Sequence, residues 1–172
     1  MRKRKTAFSI HKGYKTMKSA FTMIELVFII VILGILGAVA FPKMAPFMED
    51  AKLARGQSNV SAIRSAIANE RSRNMLSGVV AFPQILDDAT KDKEGELLFD
   101  GNATVNILQY PLYSKQSGGS WMKISDNTGT TISYRYYISD ARKVDFTYTK
   151  ATGIFDCVHN ANNDNDCAAL TK

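Results

Sequence analysis

An uncharged apolar run directly behind a basic N-terminus constrains this chain more than any other feature. Residues 26–41 are sixteen consecutive uncharged residues, and the apolar stretch extends upstream to Phe21 with Glu25 as its one charged interruption. A helix of about 20 apolar residues is long enough to cross the hydrocarbon core of a bilayer, which is roughly 30 Å thick. The pattern therefore predicts a single membrane-spanning helix.

The excess positive charge of the chain lies ahead of that helix. Residues 1–20 hold seven basic side chains and no acidic one, while the rest of the chain carries 15 basic and 16 acidic side chains. The net charge of +6 therefore does not describe a basic body of the kind that binds nucleic acid. Because basic flanks stay on the cytoplasmic side, we expect a cytoplasmic N-terminus and a body across the membrane.

Three interpretations of the apolar helix compete on these residues. It is the core of a secretory signal peptide cut after Ala40, an uncleaved anchor, or a helix that stays on the mature protein after a shorter leader is removed. Glu25 favours the third, because an unpaired carboxylate in a membrane helix costs about 2.5 kcal/mol or more. A cut between Ala20 and Phe21 would create an α-ammonium one helical turn from Glu25, within pairing reach in one chain or between chains.

The residues around this junction resemble the N-terminal signature of type IV prepilins. Residues 18–26 read Lys-Ser-Ala-Phe-Thr-Met-Ile-Glu-Leu, and the apolar run that follows contains Gly34 and leads to Pro42. The family includes type IV pilins and the pseudopilins of type II secretion and DNA-uptake systems. It usually has glycine where this chain has Ala20.

The resemblance implies a processing and assembly route. A prepilin peptidase would remove the leader 1–20 by cutting between Ala20 and Phe21, and Phe21 would then be N-methylated. An inner-membrane platform with its ATPase would assemble the subunit, with itself and other pilin-like subunits, into a helical filament. There the α-amine of Phe21 would pair with Glu25 of a neighbour. The subunit would start as a single-pass protein of the bacterial inner membrane, head in the periplasm, and end in a periplasmic or cell-surface filament.

The residues after the span predict an amphipathic helix that ends near Gly78, a favourable stop residue. Apolar residues recur there at spacings of 7, 3 and 4, which place them on one helical face. Gly56 interrupts the helix at a cost of about 1 kcal/mol relative to alanine. The apolar residues are Leu53, Val60, Ile63 and Ile67, and alanines at 51, 54, 62, 66 and 68 widen their stripe.

Pro42 separates the two halves of this helical region. Proline removes a backbone hydrogen bond inside a helix and so bends or ends it. The resemblance implies a kink at Pro42 in one long helix, which we therefore divide into a membrane and assembly half, 21–47, and an amphipathic half, 48–78.

Residues 79–172 predict a β-rich head. The part from 79 to 118 gives no clear assignment, but alternating apolar residues after 119 predict strands near 121–124, 130–138, 144–148 and 154–158. The apolar face of such a sheet needs a cover, which the helical stripe supplies. We therefore expect an α+β fold in which a long N-terminal α-helix packs on a small antiparallel sheet of about four strands.

The C-terminal segment contains the two cysteines of the chain, Cys157 and Cys167. In an exported head a disulfide is the default, with free thiols or metal ligands as alternatives, and the resemblance implies a disulfide-bounded loop on the filament surface. Between the cysteines, Asn162, Asp164 and Asp166 offer oxygen ligands suited to Ca²⁺, although the EF-hand spacing is absent. We keep a calcium site as a hypothesis beside a solvated loop.

Catalytic motifs such as a nucleophile elbow, a phosphate loop, CxxC or HExxH do not stand out, and we do not expect an enzyme. DNA is a conceivable partner through one group of basic residues, which solvated surface charge explains better. That group is Arg71, Arg73, Arg135, Arg142 and Lys143.

The sequence therefore predicts a structural subunit of a (pseudo)pilus in a type II secretion or DNA-uptake system. The first alternative is a subunit of an extended type IV surface pilus that serves adhesion or motility. The second is a soluble periplasmic binding domain released after Ala40.

Overall fold

The computed structural model describes residues 21–102 and 105–172. The leader predicted for 1–20, and with it Ala20, lies outside the described residues. The chain divides into two compact units, one ending at Pro42 and the other covering Lys43–Lys172.

The first helix, α1, covers Met23–Lys43, and all of it except Lys43 lies in the first unit. The part Met23–Phe41 is long and apolar enough to cross a membrane, with a mean hydropathy of 2.9, and none of it is buried inside the protein. A helix that is apolar on every side is a membrane span or the core of a larger assembly, since water would surround it otherwise.

The second unit begins with α2, Ala45–Leu76. The one long helix predicted over 21–78 thus consists of two helices, α1 and α2, which are separated at Met44. Pro46 lies in the first turn of α2, where proline is tolerated because its missing N–H would have no partner in the helix. The helix stops before Gly78, which adopts a left-handed φ of 81° that favours glycine, so the predicted stop is confirmed.

Along α2 the predicted apolar face is the buried one. Val60, Ile63 and Ile67 are buried, and Leu53 packs partly against the same core. We predicted that five alanines widen this apolar stripe. The prediction is wrong for four of them, because only Ala66 packs against the core. The exposed ones are the alanines at positions 51, 54, 62 and 68.

Gly56 has a packing role that the sequence did not reveal. A Cβ at this position would lie 2.5 Å from Leu170 Cδ2 and 2.6 Å from Tyr136 Cε1. The Tyr136 ring is held there because its hydroxyl donates to the Lys52 carbonyl at 2.5 Å, and burial raises the pKa of Tyr136 to about 12. Glycine at 56 therefore lets the helix approach the sheet, which outweighs its low helix propensity.

Over its described residues, 79–102 and 105–172, the head contains two antiparallel sheets. The smaller one pairs β1, Leu97–Leu98, with β2, Leu112–Tyr113. The larger one has four strands in the order β3-β4-β5-β6, each paired with the next along the chain. These strands are β3 Ser120–Lys123, β4 Thr131–Tyr137, β5 Lys143–Thr149 and β6 Ile154–Cys157.

The larger sheet confirms the predicted α+β architecture and its four strands. Alternate residues of β4 and β5 point into the core, as the period of two requires. Trp121 lies at the centre of an aromatic cluster, with ring centroids 4.9 Å from Tyr136 and 5.2 Å from Phe146. The alternating buried residues of these two strands are Ile132, Tyr134, Tyr136, Val144, Phe146 and Tyr148.

The unassigned segment 79–118 contributes a buried charged residue, Asp87. Its Oδ1 lies 2.7 Å from Lys123 Nζ, and its Oδ2 accepts a hydrogen bond of 2.7 Å from the Tyr134 hydroxyl. Backbone N–H groups of Ala89 and Phe99 also donate to it. Burial, aided by Asp87, raises the pKa of Tyr134, so the hydroxyl stays protonated and can donate. This network ties the segment to β3 and β4.

A third helix, α3, Asp164–Leu170, was not predicted. It lies where the sequence indicated only a loop. Cys167 and Leu170 are fully buried, and Leu170 packs against α2 beside Gly56. From α2, Arg64 donates to the Phe155 carbonyl at 2.9 Å and pairs with Asp156 at 2.8 Å, which attaches the helix to β6.

Candidate assembly site at the start of the N-terminal helix

The first turn of α1 is closed by Thr22. The Glu25 N–H donates to Thr22 Oγ1 at 3.3 Å, and the Leu26 N–H donates to the Thr22 carbonyl at 3.2 Å. Thr22 is thus the N-cap residue, and Glu25 is the third residue of the helix. A threonine followed three positions later by glutamate is the spacing of a capping box. This spacing is present in the sequence, but we did not predict the cap from it.

The Glu25 carboxylate is exposed and forms no hydrogen bond or ion pair with any other residue in 21–102 or 105–172. Its position in the first turn is favourable, because the helix dipole stabilises a negative charge there by about 0.3–1 kcal/mol. Within the described part of the subunit, the charge remains available to a partner from outside. Inside a membrane or against the apolar surface of a neighbouring subunit, Glu25 would need such a partner, because burying an unpaired carboxylate in an apolar environment costs free energy.

The large side chains around Glu25 are exposed as well. Phe21 is 74% exposed, Ile24 79% and Phe28 67%. An exposed apolar surface of this extent marks a contact with lipid or protein. The assembly residues predicted from the sequence, Phe21 and Glu25, therefore lie together at one end of an apolar surface, with Pro42 near the other end of α1.

At the opposite end of the chain, Cys157 and Cys167 form the predicted disulfide, with Cα atoms 5.6 Å apart. The cross-link joins β6 to α3. It therefore encloses a turn and the first half of a helix, in place of the wholly irregular loop that the sequence indicated.

The three residues of the calcium hypothesis make separate contacts. Asp164 Oδ1 lies 2.7 Å from His159 Nδ1, Asp166 pairs with Arg142, and Asn162 is exposed. Over the two described ranges, no group of three or more His, Cys, Asp and Glu side chains is placed to hold a metal. The calcium site stays a prediction.

Each basic side chain considered for DNA binding pairs with an acidic side chain or lies over an aromatic ring. Arg135 forms a two-point contact with Asp145 at 2.6 and 2.9 Å, which raises the pKa of Arg135. Arg142 bonds to Asp166 and also to Glu49 at 2.6 Å, and the bond to Asp166 contributes most to its raised pKa. The other three are Arg71 over the Phe82 ring, Arg73 beside Glu70, and Lys143 over the Tyr137 ring.

Comparison with known proteins finds matches among bacterial fimbrial proteins. The chain is 24% identical over 145 residues to a type IV major fimbrial protein, FimA, of Dichelobacter nodosus, which covers 81% of this chain and 92% of that protein. It is 27% identical over 116 residues to a fimbrial protein of Pseudomonas aeruginosa, covering 67% of this chain and 64% of that one. The chain is type IV pilin-like. No family model matches it, and no solved structure matches it significantly.

For a pilin-like chain, the described features fall into two groups. The N-terminal helix and the two residues before it contain the predicted assembly residues Glu25 and Phe21 on an apolar surface, and the head contains the disulfide and the sheets. The relatives extend this likeness beyond the N-terminal signature, since a match over 81% of the chain must include most of the head.

Proposed function

We propose that this chain is a structural subunit of a type IV filament, assembled through α1 after its leader has been removed. The observation that carries the proposal is Glu25, an exposed carboxylate without a described partner, which is the one charged residue between Met23 and Phe41. The fimbrial names of the relatives support the same role.

In the proposed mechanism, a prepilin peptidase cuts between Ala20 and Phe21 and the new α-amine of Phe21 is methylated. The α-ammonium of an entering subunit then pairs with Glu25 of its neighbour. This pairing favours one axial register, because a helix displaced along the filament would leave the buried carboxylate uncompensated. The remaining apolar residues of α1 pack against neighbouring helices as they leave the lipid.

Before assembly, the subunit is a single-pass membrane protein with the head across the inner membrane from the basic leader. The charge distribution supports this topology, since basic flanking residues are retained in the cytoplasm. The partners of this stage are membrane lipid, the peptidase that also methylates, and the assembly platform with its ATPase.

Between the candidate filaments, we favour an extended surface pilus, because both relatives described above are named as fimbrial proteins. A pseudopilus of type II secretion or DNA uptake is the second candidate, favoured by the small head. A surface pilus predicts abundant subunit in filaments sheared from cells. A pseudopilus predicts little sheared material and a loss of secretion or transformation when the gene is deleted.

The first experiment is a mass spectrum of the intact protein, with N-terminal fragments, from membranes of its own host. We expect a chain that starts at Phe21 with one added methyl group. A start at Phe41 would contradict the proposal, since it would leave a soluble domain without the assembly helix. An intact Met1 would indicate a plain membrane anchor.

The second experiment replaces Glu25 with valine. We expect normal insertion and processing but a loss of at least about tenfold in sheared filaments, because an unpaired ammonium must then be buried. Thr22→Val is the matched control, since it removes the cap hydroxyl and leaves the carboxylate in place. If Glu25→Val assembled normally, or if Thr22→Val failed equally, pairing through Glu25 would be ruled out.

A further inference from the structure

A cavity of about 500 Å³ in the head lies between the second half of α2 and a segment that includes Asp100 and 106–111. Two acidic residues and one basic residue line it, Glu70, Asp100 and Arg73. We propose that this cavity binds a primary ammonium group on a short alkyl chain, held by the carboxylates of Glu70 and Asp100. The proposal concerns the head alone and does not depend on the filament role of α1.

The first argument is the incomplete pairing of a buried carboxylate, that of Glu70. Its side chain is 8% exposed, and its Oε2 accepts one hydrogen bond of 3.3 Å from Arg73, whose own side chain is 69% exposed. Oε1 accepts no hydrogen bond from a described residue, and it is not among the unpaired side-chain atoms that are sealed from solvent. Because Glu70 lines the cavity, Oε1 is open to a ligand there. A buried carboxylate held by a single long hydrogen bond is stabilised by a further donor.

The second argument is Asp100, a carboxylate of the same cavity that has no counter-ion. Asp100 is partly exposed and forms no ion pair with a described residue. Its Oδ1 is sealed inside the head, so Oδ2 is the oxygen that can contact a ligand. Burial, aided by the nearby Asp87 and Asp88, raises the pKa of Asp100, because the negative charge around it outweighs the positive charge of Lys123. A cation in the cavity would supply the missing positive charge.

The rest of the wall offers neutral oxygen acceptors. Ser65, Asn69 and Gln109 are exposed, and their side chains form no hydrogen bond with a described residue. An ammonium group has three donors and no acceptor, so it can bond to a carboxylate and to these oxygens at the same time. Hydrogen bonds between a charged donor and a carboxylate are roughly twice as strong as neutral ones, so this wall binds an ammonium in preference to a neutral donor.

The charge and shape of the cavity disfavour other kinds of ligand. Two acidic residues against one basic residue leave its wall with a net negative charge, which repels anions. Across 21–102 and 105–172, no group of three or more His, Cys, Asp and Glu side chains is placed to hold a metal. Ile107, Leu108 and Pro111 form an apolar part of the wall that suits an alkyl chain. The volume lies within the roughly 300–1,000 Å³ of common ligand pockets.

The test follows the side-chain amide resonances of Asn69 and Gln109, which both line the cavity. Full-length ¹⁵N-labelled protein in a neutral detergent is titrated with n-butylammonium chloride that replaces sodium chloride at constant ionic strength. We expect saturable shifts of both resonances. Butyltrimethylammonium, which has the charge but no N–H donor, and 1-butanol, which has no charge, should each bind at least about tenfold more weakly. These comparisons use the unaltered protein, so they do not depend on the stability of any variant.

Variants then show whether the two carboxylates bind the ammonium. Glu70→Gln and Asp100→Asn should each raise the half-saturating butylammonium concentration about tenfold, since each removes one charged acceptor and keeps the shape of the side chain. Asp126→Asn is the matched control, because Asp126 is exposed, lies outside the cavity and loses the same charge. An unchanged half-saturating concentration in both cavity variants would overturn the proposal, as would an equal increase in Asp126→Asn.

Protein concentration distinguishes the two sources of the ammonium, a small free amine and a lysine side chain of a second copy. Lys91 and Lys115 are exposed and form no ion pair with a described residue, so a second copy can present them. If a second copy supplies the group, the Asn69 and Gln109 resonances shift with protein concentration, and butylammonium reverses the association. If a small amine supplies it, they are independent of protein concentration and respond to butylammonium alone. Resonances that respond to neither, or that respond equally to 1-butanol, would contradict the proposed site.

Discussion

Glu25 in α1 and Asp87 in the head are carboxylates in opposite environments. Asp87 is fully buried and accepts from Lys123, from the Tyr134 hydroxyl and from two backbone N–H groups. Glu25 is exposed, and its carboxylate bonds to no described residue. The head therefore neutralises its buried charge within the subunit, whereas the charge of Glu25 has no counter-ion among the described residues.

We expect the two carboxylates to affect different processes, Asp87 the folding of the head and Glu25 the assembly of the subunit. The partners of Asp87 come from three segments that meet only when the head folds, so we expect the pair to matter for stability. The apolar residues of α1 and the charge of Glu25 contribute little inside the subunit, so we expect them to matter for membrane insertion and filament formation. The following predictions test that separation, from the largest expected change in the free energy of unfolding to the smallest.

Lys123→Met should destabilise the head most, by about 3–5 kcal/mol. The substitution nearly preserves the side-chain volume and leaves the Asp87 carboxylate buried without its counter-ion. Urea unfolding of full-length protein in detergent, followed by Trp121 fluorescence, measures the change. Lys93→Met is the control, because Lys93 pairs with Glu96 on the surface, and it should cost about 0–1 kcal/mol. Equal losses in the two variants would refute the distinction between the buried and the exposed pair.

Replacing both Cys157 and Cys167 with alanine should cost about 3 kcal/mol in the chain-entropy model, given a sequence separation of 10 residues. The loss should appear in the same urea experiment. It should disappear when parent and variant are compared under reducing conditions, apart from a residual difference in packing. A loss below about 1 kcal/mol would show that the head is held together without the cross-link.

Gly56→Ala should destabilise the head by about 1–3 kcal/mol, even though alanine is the better helix former. The added methyl group would collide with Leu170 and with the Tyr136 ring. Ser58→Ala, at an exposed position of the same helix, should change stability by no more than about 0.5 kcal/mol. A stabilised Gly56→Ala variant would mean that the helix can move away from the sheet at little cost.

Glu25→Val should change the stability of the head by less than about 0.5 kcal/mol, although we expect it to prevent filament formation. Glu25→Val and Lys123→Met each remove one charge, so the difference between their free energies of unfolding compares the two regions directly. A head destabilised by more than about 1 kcal/mol in Glu25→Val would show that the two regions are coupled within the subunit.

Local patterns were sufficient to predict much of the fold. The helical period of Val60, Ile63 and Ile67 and the period of two along β4 and β5 both identified buried faces correctly. These patterns can be read from sequence because each depends on the geometry of one element. The same reading failed for the alanines of α2, since small apolar residues are tolerated on either face of a helix.

The candidate sites were predictable to different degrees. Phe21 and Glu25 could be predicted as assembly residues because the basic segment, the acid and the apolar run are contiguous in sequence, and their role stays a prediction. The short helix α3 was missed, because burial of Cys167 and Leu170 against the rest of the head stabilises a segment whose composition suggests a loop.

The sequence by itself determined that this chain has one apolar helix with a single acid near its start and an antiparallel sheet with an aromatic face. Those properties follow from residue order and local periodicity, which are present before the chain folds. The tertiary structure alone decided that Asp87 meets Lys123 and that Gly56 lies against Tyr136. Such contacts join residues distant in the chain, and their energies depend on burial, which exists only once the head is packed.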